Sequence, residues 1–218
     1  MFSLIIIVHE IGHVLMGILF KWKIEKIIIL PFGALTIFNE DLNRKLKEEF
    51  LIAIMGPMFQ ILFTFFLYYL GVQNAVYYSI SILCFNLLPI VPLDGSKLLN
   101  VFLNKITSFK RSHVFIIMIS FLTMFMVIIN TDFNLIFILI LVFLFMRVFS
   151  EIKNHDSLFN RFLLERYLKS YRFKKIKKIN SQDVRKMKRD YTHLFYDGFK
   201  YVSEREVLKK RFDFKGKL

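Results

Sequence analysis

Cysteine is nearly absent: Cys84 is the only one in 218 residues. That excludes an internal disulfide framework and a thiolate-based zinc site. Proline and glycine are also sparse, with 4 and 8 residues, so no Pro/Gly-rich linker divides the chain. Acidic residues number 17 against 31 Lys+Arg, and almost none falls in the long apolar runs. The N-terminus has no basic region before its apolar stretch and no small-residue cleavage site after it, so it does not read as a signal peptide.

What is abundant is apolar and aromatic. Hydrophobic residues make up 56% of the chain, Phe occurs 27 times, and the mean hydropathy is +0.49. Soluble domains carry about 45–50% apolar residues, and here the excess lies in uninterrupted runs, as lipid requires. The sequence predicts an all-α polytopic membrane protein with about five transmembrane helices, near residues 2–19, 50–70, 76–96, 113–129 and 133–149, and a small basic tail. Residues 1–150 form the expected membrane-embedded domain and 151–218 the tail.

Charge sets the orientation. Residues 1–150 hold 11 Lys+Arg and 8 Asp+Glu, whereas 151–218 hold 20 and 9. The connections 20–49 and 97–112 are basic, and 71–75 and 130–132 carry no basic residue. By the positive-inside rule the basic loops and the tail are cytoplasmic and the N-terminus lies outside. An additional span upstream would account for that N-terminus. No base-reading motif accompanies the charge, so nucleic acid is not an expected partner. The basic stretch Arg161–Lys178, with interleaved aromatics, reads as a juxtamembrane helix on anionic lipid.

Residues 27–38, IIILPFGALTIF, place β-prone runs around Pro31-Phe32-Gly33. They predict a short β-hairpin that dips into the membrane beside the bundle, with a loop at the interface as the alternative.

The chemistry-bearing motif is His9-Glu10-x-x-His13. On a helix, positions i and i+4 share a face, so both imidazoles can hold one metal ion while Glu10 takes a proton from its water. Shuffling this composition would give about 0.005 such motifs. A carboxylate at the centre of a membrane helix costs roughly 2.5–3.5 kcal/mol on insertion scales, so Glu10 needs a reason to be there. A catalytic zinc site takes a third protein ligand and an open position. His113, His155 and His193 all fall at or beyond the membrane edge. Asp94 is the better candidate, being the only carboxylate in spans two to four and at the same depth as His13. Pro89 and Pro92 would disturb the helix beside it. Asn86 could bind a substrate carbonyl or developing oxyanion charge, or simply make an interhelical bond. Two readings from other classes compete: an ion pathway or transporter built on intramembrane His, Glu and Asp, and an inactive membrane scaffold.

With Asn86, Pro92, Asp94 and Gly95 following HExxH, the chain resembles the site-2 protease family of intramembrane zinc metalloproteases. It looks most like members that process a pro-sigma factor in sporulating bacteria. Supporting stretches are residues 30–50, 86–99 and 161–167. The resemblance implies regulated intramembrane proteolysis of a membrane-tethered cytoplasmic proprotein, on the mother-cell side of a sporulating cell. In that reading His9, His13 and Asp94 bind zinc and Glu10 is the general base. Asn86, Pro92, Phe32 and Gly33 would contact substrate, with the hairpin acting as a re-entrant loop. Membrane inhibitor or regulator proteins and a homo-oligomer are further partners it leaves open. The family places a span before the HExxH helix and a CBS domain after the bundle. Only about 40 residues follow Ile179, near the lower limit for an independent fold, so the tail reads as a truncated CBS-like remnant whose ATP binding is left open.

Overall fold

The computed structural model describes residues 1–30, 33–131, 134–169, 171 and 173–213. Six helices form the membrane part: α1 (Phe2–Leu19), α2 (Leu46–Tyr69), α3 (Gln73–Asn86), α4 (Asp94–Ile106), α5 (Phe109–Ile129) and α6 (Leu135–Leu168). Four of them, α1, α2, α5 and α6, are long and apolar enough to cross a bilayer. Their outward faces keep large apolar side chains such as Leu15, Phe65, Met118 and Phe145 exposed, which water would penalise and lipid does not. The protein is an integral, multi-pass membrane protein.

The third expected span is broken. α3 stops at Asn86 after 14 residues, about 21 Å at 1.5 Å per residue, short of a roughly 30 Å hydrocarbon core. Residues 87–93 are not helical, and they contain Pro89 and Pro92, neither of which can donate an i→i−4 hydrogen bond. The Val91–Pro92 peptide is cis. The chain nonetheless runs here from one end of the bundle to the other. A three-residue link joins α2 to α3 at one end of the bundle, while α4 leads into α5 at the other. That second end is marked by contacts: Arg44 Nη1 donates to Phe20 O at 3.2 Å, and Phe109 N donates to Met187 O at 3.0 Å.

The hairpin forms as expected. β1 (Ile24–Leu30) and β2 (Gly33–Phe38) pair antiparallel, with Ile27 opposite Thr36 and a register irregularity between Ile24 and Lys26. Their β-branched composition favours this geometry.

α6 has 34 residues, about 51 Å of helix, so it outruns the bilayer and passes residue 150 without a break. Its extension carries the tail: β3 (Lys175–Ile179), β4 (Tyr191–Tyr196), β5 (Tyr201–Ser203) and α7 (Glu204–Asp213). β3 and β4 are parallel, β4 and β5 antiparallel. The helix expected on lipid over 161–178 therefore ends at Leu168, and 175–179 is a strand. Phe159, Phe162 and Leu163 of α6 are buried with Ile179, Phe195 and Leu208 of the tail; this apolar face has a protein partner instead of a membrane surface. The tail also grips the start of α2. Arg189 donates to Glu49 Oε2 at 2.5 Å and to Arg44 O at 2.9 Å, and the Asp190 carboxylate caps Leu46 N at 3.2 Å.

Candidate metal centre

The i,i+4 spacing on α1 does what the sequence predicts, bringing His9 and His13 onto one buried face with their Nε2 atoms 3.1 Å apart. Asp94, the first residue of α4, completes the cluster: its Oδ2 lies 2.8 Å from His9 Nε2 and 3.0 Å from His13 Nε2. The break after α3 makes this possible, because it lets α4 start inside the bundle with Asp94 at its N-terminus.

The outer nitrogens decide what the inner ones can do. His9 Nδ1 is 2.7 Å from Gln60 Oε1, and the Gln60 amide is held by Nε2 donating to Ser79 O at 2.9 Å. His13 Nδ1 is 2.8 Å from Ile52 O. Both partners are pure acceptors, so each Nδ1 carries a proton, and Nε2 is the nitrogen each ring can offer to a metal ion. The two Nε2 atoms and a carboxylate oxygen converge within 3.1 Å of one another. A divalent metal ion fits that donor set, and the spacings approach the roughly 3.3 Å edges of a tetrahedron with 2.0–2.1 Å bonds. Oriented imidazoles with their second nitrogens bonded are what metal-ligating histidines show.

Close helix packing delivers the second helix. A Cβ at Gly12 would strike the Met55 carbonyl, and one at Gly56 would strike the His13 ring. Small residues at both points let α1 and α2 approach.

Glu10 sits beside the cluster; its carboxylate, His9 and His13 offer ligand-type atoms within 4.8 Å of one another. Its Oε2 accepts from Thr36 Oγ1 at 2.5 Å, so β2 fixes the carboxylate. Asp94 Oδ1 receives Lys97 Nζ at 2.8 Å, leaving Oδ2 for the cluster. From His13 a cavity of about 440 Å³ leads past Trp22, Thr36, Pro92 and Lys97 to Arg189, on the side where the tail sits.

Other expected residues are less central. Pro92 forms part of the cavity wall. Asn86, at the end of α3, is half-buried, and among the described residues no hydrogen bond ties it to the cluster. Gly33 is the first residue of β2, opposite Leu30; Phe32 lies outside the described residues. Gln60, Ile52, Thr36 and Lys97 escaped sequence reasoning. Gln60 left one signal, an amide in the middle of an apolar span, where a polar group is expensive.

The chain is similar to known proteins. The model of Peptidase family M50 matches residues 1–75 and 72–130. The chain is 34% identical over 181 residues to Stage IV sporulation protein FB of Bacillus subtilis (strain 168), which covers 75% of this chain and 62% of that protein. It is 27% identical over 119 residues to Zinc metalloprotease MJ0392 of Methanocaldococcus jannaschii, covering 49% and 34%. The chain thus spans under two thirds of the first relative and about a third of the second. In fold it is similar to the Site-2 Protease from Methanocaldococcus jannaschii, with a TM-score of 0.57 and 22% identity over 69% of this chain and 74% of that one.

Proposed function

We propose, from the premise that the chain belongs to peptidase family M50, that it is an intramembrane zinc endopeptidase cutting a membrane-tethered proprotein from its tail side, the cytoplasm. One observation carries the reading. Two imidazole Nε2 atoms and Asp94 Oδ2 converge within 2.8–3.1 Å, with Glu10 alongside.

His9, His13 and Asp94 would hold the ion. When bound, zinc supplies Lewis acidity, lowering the pKa of water and polarising a carbonyl. Glu10 takes the proton from the attacking water and returns it to the leaving amide nitrogen. Thr36 holds that carboxylate in place, and Gln60 and Ile52 hold the imidazoles. The cavity past Trp22 and Lys97 admits water and an unwound segment. The β1–β2 hairpin offers an edge on which an extended substrate can pair, which a peptide bond shielded in a helix needs before it can be cut. The finer reading, a membrane-tethered pro-sigma factor in a sporulating cell, rests on the resemblance read from the sequence and on likeness to a sporulation protein. Asn86 as a substrate contact belongs with that finer reading, as do regulator proteins and self-association.

Co-expression with membrane-tethered proproteins tests it. Glu10→Gln is expected to retain zinc and lose processing by about 100- to 10,000-fold, the usual range for a proton-transfer residue. Undiminished processing by that variant would refute the mechanism.

A further inference from the structure

The first turn of α5 and the tail meet in a second basic cleft, away from the metal centre. A cavity of about 400 Å³ is lined by Lys110, Arg111, Val114 and Phe115 of α5 and by Asp183, Arg185 and Lys186 of the tail. It continues into one of about 520 Å³ that shares Lys110, Asp183 and Arg185 and adds Asp156 and Arg211. The two halves come from positions some 70 residues apart, and the fold holds them together deliberately. Phe109 N donates to Met187 O at 3.0 Å, and Phe109, Val184 and Met187 share one buried core.

Five cations thus face two carboxylates. Asp156 pairs with Lys110 at 3.1 Å and Asp183 with Arg185 at 3.0 Å, which leaves a surplus of positive charge. Lys110 and Arg111 also sit in the first turn of a 21-residue helix that has no acidic residue there, where the macrodipole disfavours cations. Like charges gathered at a positive helix end are tolerable where an anion neutralises them.

The cleft's other wall names the anion. Val114 and Phe115 are 41% and 43% exposed, and the same stripe runs on through Met118 and Leu122, 59% and 58% exposed, along a helix suited to span the bilayer. A basic pocket at the membrane edge that opens onto a lipid-facing stripe matches a phosphate headgroup with its acyl chains attached. We propose that this cleft is a binding site for an anionic phospholipid, its phosphate among Lys110, Arg111, Arg185 and Lys186 and its acyl chains along Val114, Phe115, Met118 and Leu122. Bound there, the lipid bridges α5 and the tail.

Native mass spectrometry of the full chain in detergent micelles tests the site, with palmitoyl-oleoyl phosphatidylglycerol as probe and the phosphatidylcholine of the same chains as control. Wild type is expected to retain the anionic lipid and not the zwitterionic one. R185Q/K186Q should weaken binding about 30-fold, at roughly fivefold per basic residue near an anionic lipid. K110Q/R111Q should do the same from the α5 side, so a tail that failed to fold in the first variant would not blunt the test. K200Q/K209Q, which removes two tail cations outside the cleft, should bind as wild type. Displacement of the lipid by inorganic phosphate would assign the cleft to a free anion. Equal binding of both lipids, unchanged binding by the two cleft variants, or equal loss in K200Q/K209Q would each overturn the proposal.

Discussion

Among the described residues, one buried histidine–carboxylate cluster lies in the membrane and another in the tail, and the two are wired in opposite ways. In the tail, His193 Nδ1 meets Glu204 Oε1 at 2.5 Å, while its Nε2 accepts Lys188 N–H at 3.0 Å. Glu204 Oε1 accepts as well from His193 N at 2.6 Å and Arg166 Nη1 at 2.9 Å. Every lone pair on that ring has a proton to face. In the membrane the Nδ1 atoms of His9 and His13 are turned outward, to the acceptors Gln60 Oε1 and Ile52 O, and the Nε2 atoms inward to Asp94. Burial of His with a carboxylate therefore does not make a metal site. The direction of the second-nitrogen hydrogen bond is what differs between the two, and it decides which ring nitrogen is left to face a ligand.

The sharpest way to break this comparison is to remove one histidine from each cluster. His13→Ala deletes one of the three proposed ligands, and zinc content and proteolysis should both fall to background. His193→Ala should leave zinc content at the wild-type level and cost the tail about 1–3 kcal/mol, because Lys188 N–H is left without its partner. Zinc measured per mole of purified protein separates the two; zinc lost from His193→Ala would mean that the clusters are not independent.

Arg166→Met comes next. Arg166 is buried with Nε on Asn43 Oδ1 at 2.6 Å, Nη1 on Tyr191 O and Glu204, and Nη2 on Lys188 O at 2.8 Å. Removing one partner of a buried ion pair costs about 3–5 kcal/mol. The loss should appear as hydrogen exchange through β4 and β5, and the start of α2 should loosen with it, since Arg189 and Asp190 hold that end.

Gln60→Leu probes the wiring itself. It keeps all three ligands and removes the acceptor that orients His9, so zinc affinity in a chelator competition should drop 10- to 100-fold. Gln60→Glu restores an acceptor and should recover much of the loss. Unchanged affinity in Gln60→Leu would show that the tautomer is set by something else.

These residues also show where sequence reasoning stops. His9, Glu10 and His13 were legible because four residues is one helical turn, a local rule. Asp94 was legible by a coarser rule, the depth at which two spans reach the same face. The hairpin was visible in its β-branched runs around Pro31 and Gly33. The wiring was not, because Gln60 stands 51 residues from His9 and reaches it through the Gly12 and Gly56 contact between helices. No periodicity in one segment encodes such a crossing. The stretch 161–178 departs from the expected helix on lipid for a related reason: its aromatics mark an apolar face, but whether lipid or protein covers it depends on strands contributed from 175 onward.

The smallest expected effect is one of pH, and it belongs to the tail cluster alone. Burial holds the His193 imidazole below its ordinary pKa, outweighing the pull of Glu204, and Arg166 and Lys177 push the same way. Glu204 stays below the usual carboxyl range: burial opposes this, and the His193 bond and Arg166 outweigh it. The unfolded tail takes up a proton near pH 6.5 that the folded tail refuses, so the unfolded state binds more protons and stability falls as pH drops through that value. For one histidine with an unfolded pKa near 6.5 the loss between pH 7 and 6 is at most about 0.7 kcal/mol, a threefold change in opening equilibrium. Glu204 adds nothing in that window, since its contribution is lost only at lower pH, as pH falls from the ordinary carboxyl pKa through its own lowered one. Hydrogen exchange over residues 191–203, corrected for intrinsic rates, should show protection decreasing toward pH 6 in wild type and flat in His193→Gln. Protection that rises as the pH falls would mean that His193 is charged in the folded tail, which requires its Nε2 to face Lys188 N–H as a second donor.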